Sequence, residues 1–254
     1  MTPVGAAGRG VVGAAVVAGL YQVVTMLGLA DSSLLPSVPA ILRETAHLSI
    51  DPAFLAAVGS TMTAVTLGLV ISCAIGVTAG FLVGMSAAGA RLTTAPIDIL
   101  RSIPSVALIP LFLMTLGDGT LMKTVVVVVV SVWPILLNVT YGVRSVDRMA
   151  VDAARSLGAG GSRIWLRVLV PSTFPAVATG FRVSLPMALT VAISAEIAGG
   201  SPSGIGGFIL NASYRDFDAA PVFAAVVLAG LIGWALNEVT AALADRLMPW
   251  EGRR

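Results

Sequence analysis

From Pro52 to Ala90 the chain runs for 39 residues without an Asp, Glu, Lys or Arg. A water-facing surface cannot be built from such a stretch, whereas about 20 apolar residues suffice to cross the hydrocarbon core of a bilayer. The remainder of the sequence agrees. Of its 254 residues, 57% are hydrophobic and 11% charged, where a soluble domain carries about 25% charge. Disorder is excluded by the same balance, since it needs few apolar residues and much charge. A polytopic membrane protein remains.

The apolar stretches predict six spans, near 10–30, 58–86, 95–116, 123–142, 175–199 and 220–242, in one all-α domain over residues 1–254. The Val125–Val130 run has β-propensity, but an isolated strand in lipid leaves its backbone unpaired, so helix wins. The ten-residue alternation of a membrane barrel is not visible. The first apolar stretch, 21 residues between Arg9 and Asp31, exceeds the roughly 7–15 residues of a secretory leader and reads as a retained span.

Arginine sets the orientation. With a cytoplasmic N-terminus, Arg9, Arg91, Arg144, Arg148, Arg155, Arg163, Arg167, Arg246, Arg253 and Arg254 fall inside. Only Arg43, Arg215 and Lys123 fall outside, beside the acids Asp31, Glu44, Asp51, Asp118, Asp216 and Asp218. The positive-inside rule therefore places both termini in the cytoplasm.

Several function classes drop out. One cysteine, Cys73, and one histidine, His47, exclude a disulfide framework, a cysteine zinc site and a histidine-based metal or Ser-His-Asp centre. Cys73 reads as a packing residue and His47 as a solvated one, and no metal is expected. Gly204, Gly206 and Gly207 form a glycine cluster, but no strand precedes it and no Lys follows, so it is not a phosphate loop. It reads instead as a re-entrant or surface segment on the external face. Of the fifteen basic residues only Lys123 is Lys, a usage that points to gene composition rather than to nucleic-acid binding.

The second span carries small residues at every fourth position: Ser60, Ala64, Gly68, Ser72, Gly76, Gly80, Gly84 and Ala88. Such spacing lets helices approach closely in lipid, in one crossing or against two neighbours in succession. Arg182 and Glu196 lie within the fifth span, where charge is expensive. Glu196 either lines a path or pairs with a polar neighbour. Asp98 and Arg101, three apart, suit a pair on one helix face. Ser105, Asn138 and Ser194 are further candidates for lining a path, with Arg182 and Glu196. Pro104 and Pro110 free backbone carbonyls, as happens in helices beside cavities.

The longest polar region is the loop RSVDRMAVDAARSLGAGGSRIWLRVLVPS, residues 144–172. Met149, Ala153 and Leu157 have helical spacing; Asp152 stands early and Arg155 late, as the helix dipole favours. Gly158, Gly160 and Gly161 break that helix. Ile164, Trp165, Val168 and Leu169 start a second one, which Pro171 ends or kinks. On these grounds alone the loop is either a headgroup-resting segment or a docking knob.

Asp152-Ala153-Ala154, Gly158, Val168 and Val170-Pro171 fall at the spacing of the EAA loop of ABC-transporter permeases: Glu-Ala-Ala, three residues, Gly, nine residues, Ile, one residue, Leu-Pro. Asp152 stands for Glu, and Val168 and Val170 for Ile and Leu. The resemblance extends to DILRSIPSVALIPLF, WPILLNVTYGVRSVD, Phe174–Arg182, Ser194-Ala195-Glu196 and Gly204-Ile205-Gly206. Leu34-Leu35-Pro36-Ser37 resembles the nitrate/sulfonate/taurine-type subfamily.

The resemblance implies the permease subunit of a binding-protein-dependent importer in a bacterial cytoplasmic membrane. It implies a second permease chain, simplest as a homodimer, two ATPase subunits that hold ATP and Mg, and an extracytoplasmic solute-binding protein. No cofactor would bind this chain. Asp152, Ala153, Ala154, Arg155, Leu157 and Gly158 would form the coupling contact to the ATPase, and the solute would be a small anion or aromatic acid. Two other classes compete: an ion-coupled secondary transporter using Glu196, and an intramembrane enzyme. The first wants internal repeats, and none is convincing. The second wants paired groups at membrane depth, where Asp98, Arg101, Arg182, Glu196 and Glu238 are scattered.

Overall fold

The computed structural model describes residues 3–27, 34–86, 95–215 and 219–248, and these contain helices and no strand. In order they are α1 (Pro3–Met26), α2 (Val38–Leu48), α3 (Pro52–Met85) and α4 (Ala95–Arg101). A 3-10 turn, Ser105–Leu108, leads into α5 (Ile109–Leu116), followed by α6 (Thr120–Arg144), α7 (Arg148–Ser156) and α8 (Gly161–Ile164). The chain then passes through a π turn, Trp165–Leu169, into α9 (Val170–Gly199), α10 (Ile205–Arg215) and α11 (Ala219–Leu247).

Four rods are long and apolar enough to cross a bilayer: α3, α6, the run Gly161–Gly199, and α11. The α4–α5 pair makes a fifth if its two halves count as one. Val12–Met26 of α1 is apolar but shorter.

The small-residue stripe of α3 decides how the rods pack. A Cβ added to Gly76 would lie 2.9 Å from Ile135, one on Gly80 2.7 Å from Val139, and one on Gly84 2.8 Å from Val143. Gly68 meets Val127 in the same way. Each partner number is the glycine's plus 59, so the two helices run parallel, and a single neighbour, α6, meets the stripe from Gly68 to Gly84; Ala88 lies outside the described residues. Ser72, in the same row, donates to the Val128 carbonyl at 3.4 Å. Close backbone approach of this kind gives the dispersion contact that drives association in lipid.

Parallel packing has a topological cost. Both C-termini, at Met85 and Arg144, lie at one end, so the intervening chain must return across the bundle. α4 and α5 make that return. α9 runs antiparallel to α6: Gly180 crosses Ile135, and the Ser184 hydroxyl donates to the Ser131 carbonyl at 2.9 Å. α11 runs antiparallel to α9, with Gly233 against Leu189. Tyr21 of α1 donates to the Pro36 carbonyl at 3.0 Å and stacks near Phe223. The main core lies between α3, α6 and α9, from Val65, Leu69, Val126, Val127, Leu185 and Ala192.

Three sequence expectations are corrected. The third span is not one helix over 95–116: its halves meet at 73°. Pro104 has extended ψ and no N–H, and its ring disfavours helix at Ile103. Pro171 does not end the second helical stretch, which runs on from Gly161 to Gly199. The π turn absorbs it, Val170 N–H bonding back to the Trp165 carbonyl. Lys123 does not face the outside medium; it is fully buried inside the bundle. Of the arginines that set the orientation, Arg91, Arg253 and Arg254 lie outside the described residues, as do Asp31, Asp216 and Asp218.

Candidate functional site

Two regions carry chemistry, one at each end of the bundle. At the end where α3 and α6 finish, α7 stands away from the rods. Asp147 caps it, its carboxylate accepting from Met149 N–H at 2.8 Å. At the other terminus Gly158 N–H donates to the Arg155 carbonyl at 2.9 Å, and Ala159 N–H to the Ala154 carbonyl at 3.0 Å. These two bonds make a Schellman closure, and it needs Gly158 at φ +79°, a conformation that L side chains avoid. Asp152 and Arg155 pair at 3.3 Å, both well exposed, so the bond orients more than it stabilises.

α7 presents its apolar row outward. Val151 and Ala154 turn toward the bundle and are half-buried, while Met149, Ala153 and Leu157 are exposed. Met149 is 76% and Leu157 88% exposed. On a soluble helix those side chains would face the core. Arg144, Arg148, Arg155, Arg163 and Arg167, all exposed, surround them. The result is a short, rigidly closed helix offering small and apolar side chains in a basic collar.

At the opposite end sits a polar cluster that sequence reasoning missed. The Glu196 carboxylate, fully buried, accepts from Lys123 Nζ at 3.1 Å, from Gly206 N–H at 2.8 Å, and from the Thr61 hydroxyl at 2.9 and 3.0 Å. Thr61 in turn accepts from Ile205 N–H at 2.9 Å. Both amides open α10, so its dipole points at the carboxylate. Gly204, at φ +96°, lies against that carboxylate, with no room for a Cβ. The cluster ties α3, α6, α9 and α10 together. One signal could have found it: a lone Lys and a lone Glu, at matching depth in the fourth and fifth apolar stretches.

Of the five predicted path residues, the sequence leaves Glu196 open between path and pairing, and the structure shows it paired. Asn138 is half-buried and donates to the Pro134 carbonyl at 2.8 Å. Ser105 begins the 3-10 turn at the α4–α5 bend. Arg182 and Ser194 share one face of α9; Arg182 is exposed and Ser194 half-buried. Asp98 and Arg101 pair at 2.9 Å.

The comparisons with known proteins agree with one another. A family model described as "Binding-protein-dependent transport system inner membrane component" matches residues 72–251. A probable ABC transporter permease protein of Brucella abortus is 28% identical over 228 residues, 90% of either chain. The nitrate import permease protein NrtB of Leptolyngbya laminosa is 26% identical over 220 residues, 83% of this chain and 78% of that one. The putative aliphatic sulfonates transport permease protein SsuC of Bacillus subtilis is 26% identical over 243 residues, 95% and 87%. Among solved structures, a bacterial ABC transporter involved in the import of the acidic polysaccharide alginate superposes with a TM-score of 0.61. It does so at 14% identity, over 87% of this chain and 88% of that one.

Proposed function

We propose that this chain, which belongs to the family of binding-protein-dependent transport inner membrane components, forms one half of the translocation path of an ATP-driven importer for small anionic solutes. As a member it is a multi-pass ABC permease of the inner membrane. The proposal adds six crossings, counting α1 and the bent α4–α5 pair, and cytoplasmic termini on the α7 side, where the exposed arginines gather. It adds a second, identical permease chain, a solute-binding protein at the α10 end, and two ATPase subunits that hold ATP and Mg.

One observation carries the coupling role: α7 holds Met149, Ala153 and Leu157 away from its own bundle. Burying them in a groove of a separate ATPase releases apolar area from water, and the small Ala153 between them allows close backbone approach. Fixed by its two caps, α7 passes movement of that groove to α6 and α9 as a rigid body. The substrate class rests on relatives named for nitrate and aliphatic sulfonates.

Reconstitution tests this. Uptake of nitrate or ethanesulfonate into proteoliposomes should require ATP, the ATPase chain and the binding protein. Ala153→Glu puts a charge in the outward apolar row of α7, and Gly158→Asp forces φ +79° on an L side chain, about 1–2 kcal/mol of strain. Both should abolish uptake with membrane insertion intact. Uptake by this chain alone, driven by an ion gradient, would establish the secondary-transporter alternative instead.

A further inference from the structure

We infer that Arg182 is the charge-selecting residue of the path, a guanidinium held at mid-membrane depth to receive a small oxyanion. The inference rests on the permease reading above. Gly180, two residues before Arg182 and so on the opposite side of α9, crosses α6 against Pro134, Ile135 and Asn138, so Arg182 is level with the middle of α6 and faces away from it. It is exposed and makes no ion pair or hydrogen bond with another described residue. Lys123, the other cation inside the bundle, is by contrast fully enclosed by Glu196 and its neighbours.

Two costs coincide at this level. An unpaired cation facing lipid is expensive. Pro186, one turn on, supplies no N–H to the Arg182 carbonyl, and a freed carbonyl is tolerated only beside water or protein. The exposed face of α9 that holds Arg182 carries Thr179, Thr190 and half-buried Ser194, alongside Pro186 and the apolar Val183 and Met187. Their spacing of three and four keeps them within one helix face. Thr190 lines, with Asn237 and Trp234 of α11, a cavity of about 490 Å³, while the stem of Arg182 borders a separate, mostly apolar pocket with Cys73, Phe181 and Thr240. No acid lies on α9 between Val170 and Ala195. An unpaired cation at this depth needs water or a ligand, and no carboxylate of α9 before Glu196 competes with an anion for it. The planar guanidinium offers two parallel N–H groups, which match two oxygens of a nitrate or sulfonate group.

The test uses the whole transporter in proteoliposomes, with nitrate and ethanesulfonate as probes. Arg182→Gln should cut ATP-dependent uptake at least about tenfold, the loss of one charge-assisted hydrogen bond, and Arg182→Lys should fall between it and the wild type. Uptake within about twofold of wild type in Arg182→Gln, below a difference of 0.5 kcal/mol, overturns the inference and leaves the permease reading standing. So does recovery in Arg182→Gln with Glu238→Gln, which would mark a structural pair across the two permease chains. A wild-type complex whose ATPase responds to its binding protein but which imports neither probe overturns the anionic substrate class as well. A second measurement covers variants that fail to assemble. In a Cys73→Ala, Thr179→Cys chain, an anionic methanethiosulfonate should label Cys-substituted position 179 faster than a cationic one of equal size. No labelling, or no charge preference, contradicts an aqueous, positive face around Arg182.

Discussion

Lys123 and Glu196 show why a buried pair must be judged by all its contacts. Removing both charges from water costs several kcal/mol per ion, which mutual attraction repays only with further hydrogen bonds. Here the carboxylate has them, from the Thr61 hydroxyl and from the Gly206 amide at the start of α10. The Lys123→Met variant keeps the apolar stem and leaves Glu196 charged and underpaired, so it should lower stability by about 3–5 kcal/mol. Lys123→Met with Glu196→Gln should recover most of that loss, measured as the thermal unfolding midpoint of the purified complex in detergent. Equal midpoints for the single variant and the wild type would show that the pair is not a tie. Gly204 belongs to the same arrangement, because the carboxylate occupies the space its side chain would need.

Along α3 the energetics move from single atoms to a row. Gly68, Gly76, Gly80 and Gly84 each face a β-branched residue of α6 and a carbonyl one turn before it. No rotamer change clears a backbone carbonyl. Gly80→Ala should therefore push the helices apart and cost about 1–3 kcal/mol, the usual range for overpacking. Gly59→Ala, on the same helix with open space at its Cβ, should be neutral or slightly stabilising. Comparing the two unfolding midpoints checks the seam, and a matching loss in both would contradict it. The stripe was legible in the sequence because four-residue spacing of small side chains is a local property. Its partner was not, since nothing local says which helix answers it. α7 was legible for a similar reason: the Met149–Ala153–Leu157 spacing and Gly158 encode face and stop within ten residues, whereas its cap, Asp147, emerged only in the structure. The break at Pro104 was only half legible. A proline announces a lost hydrogen bond, but whether the chain kinks there, or absorbs the residue in a π turn as at Pro171, depends on how the flanking helices pack. The Lys123–Glu196 contact, 73 residues apart, is a tertiary fact that hydropathy reading passed over.

Taken whole, the bundle is polarised. One end is closed by an internal salt bridge that clamps α10 onto three rods, and the other carries α7 within a collar of arginines. Parallel α3 and α6 fix this arrangement, since they force α4 and α5 to cross back and bring the ends of α6 and α11 to the α7 side. A force applied to α7 enters the bundle through α6 and α8–α9, the elements that also carry the salt bridge and Arg182. The proposed solute handling and the proposed ATPase docking would thus be mounted on the same two helices. The most direct measurement is site-specific photo-crosslinking in native membrane vesicles containing the complete transporter. A benzophenone amino acid replaces Met149 or Leu157 in turn, with Arg43 at the opposite end as control. An adduct of permease with ATPase is expected from Met149 and Leu157 and none from Arg43. A transport-competent complex that yields no such adduct from either α7 position, or yields it equally from Arg43, would contradict it.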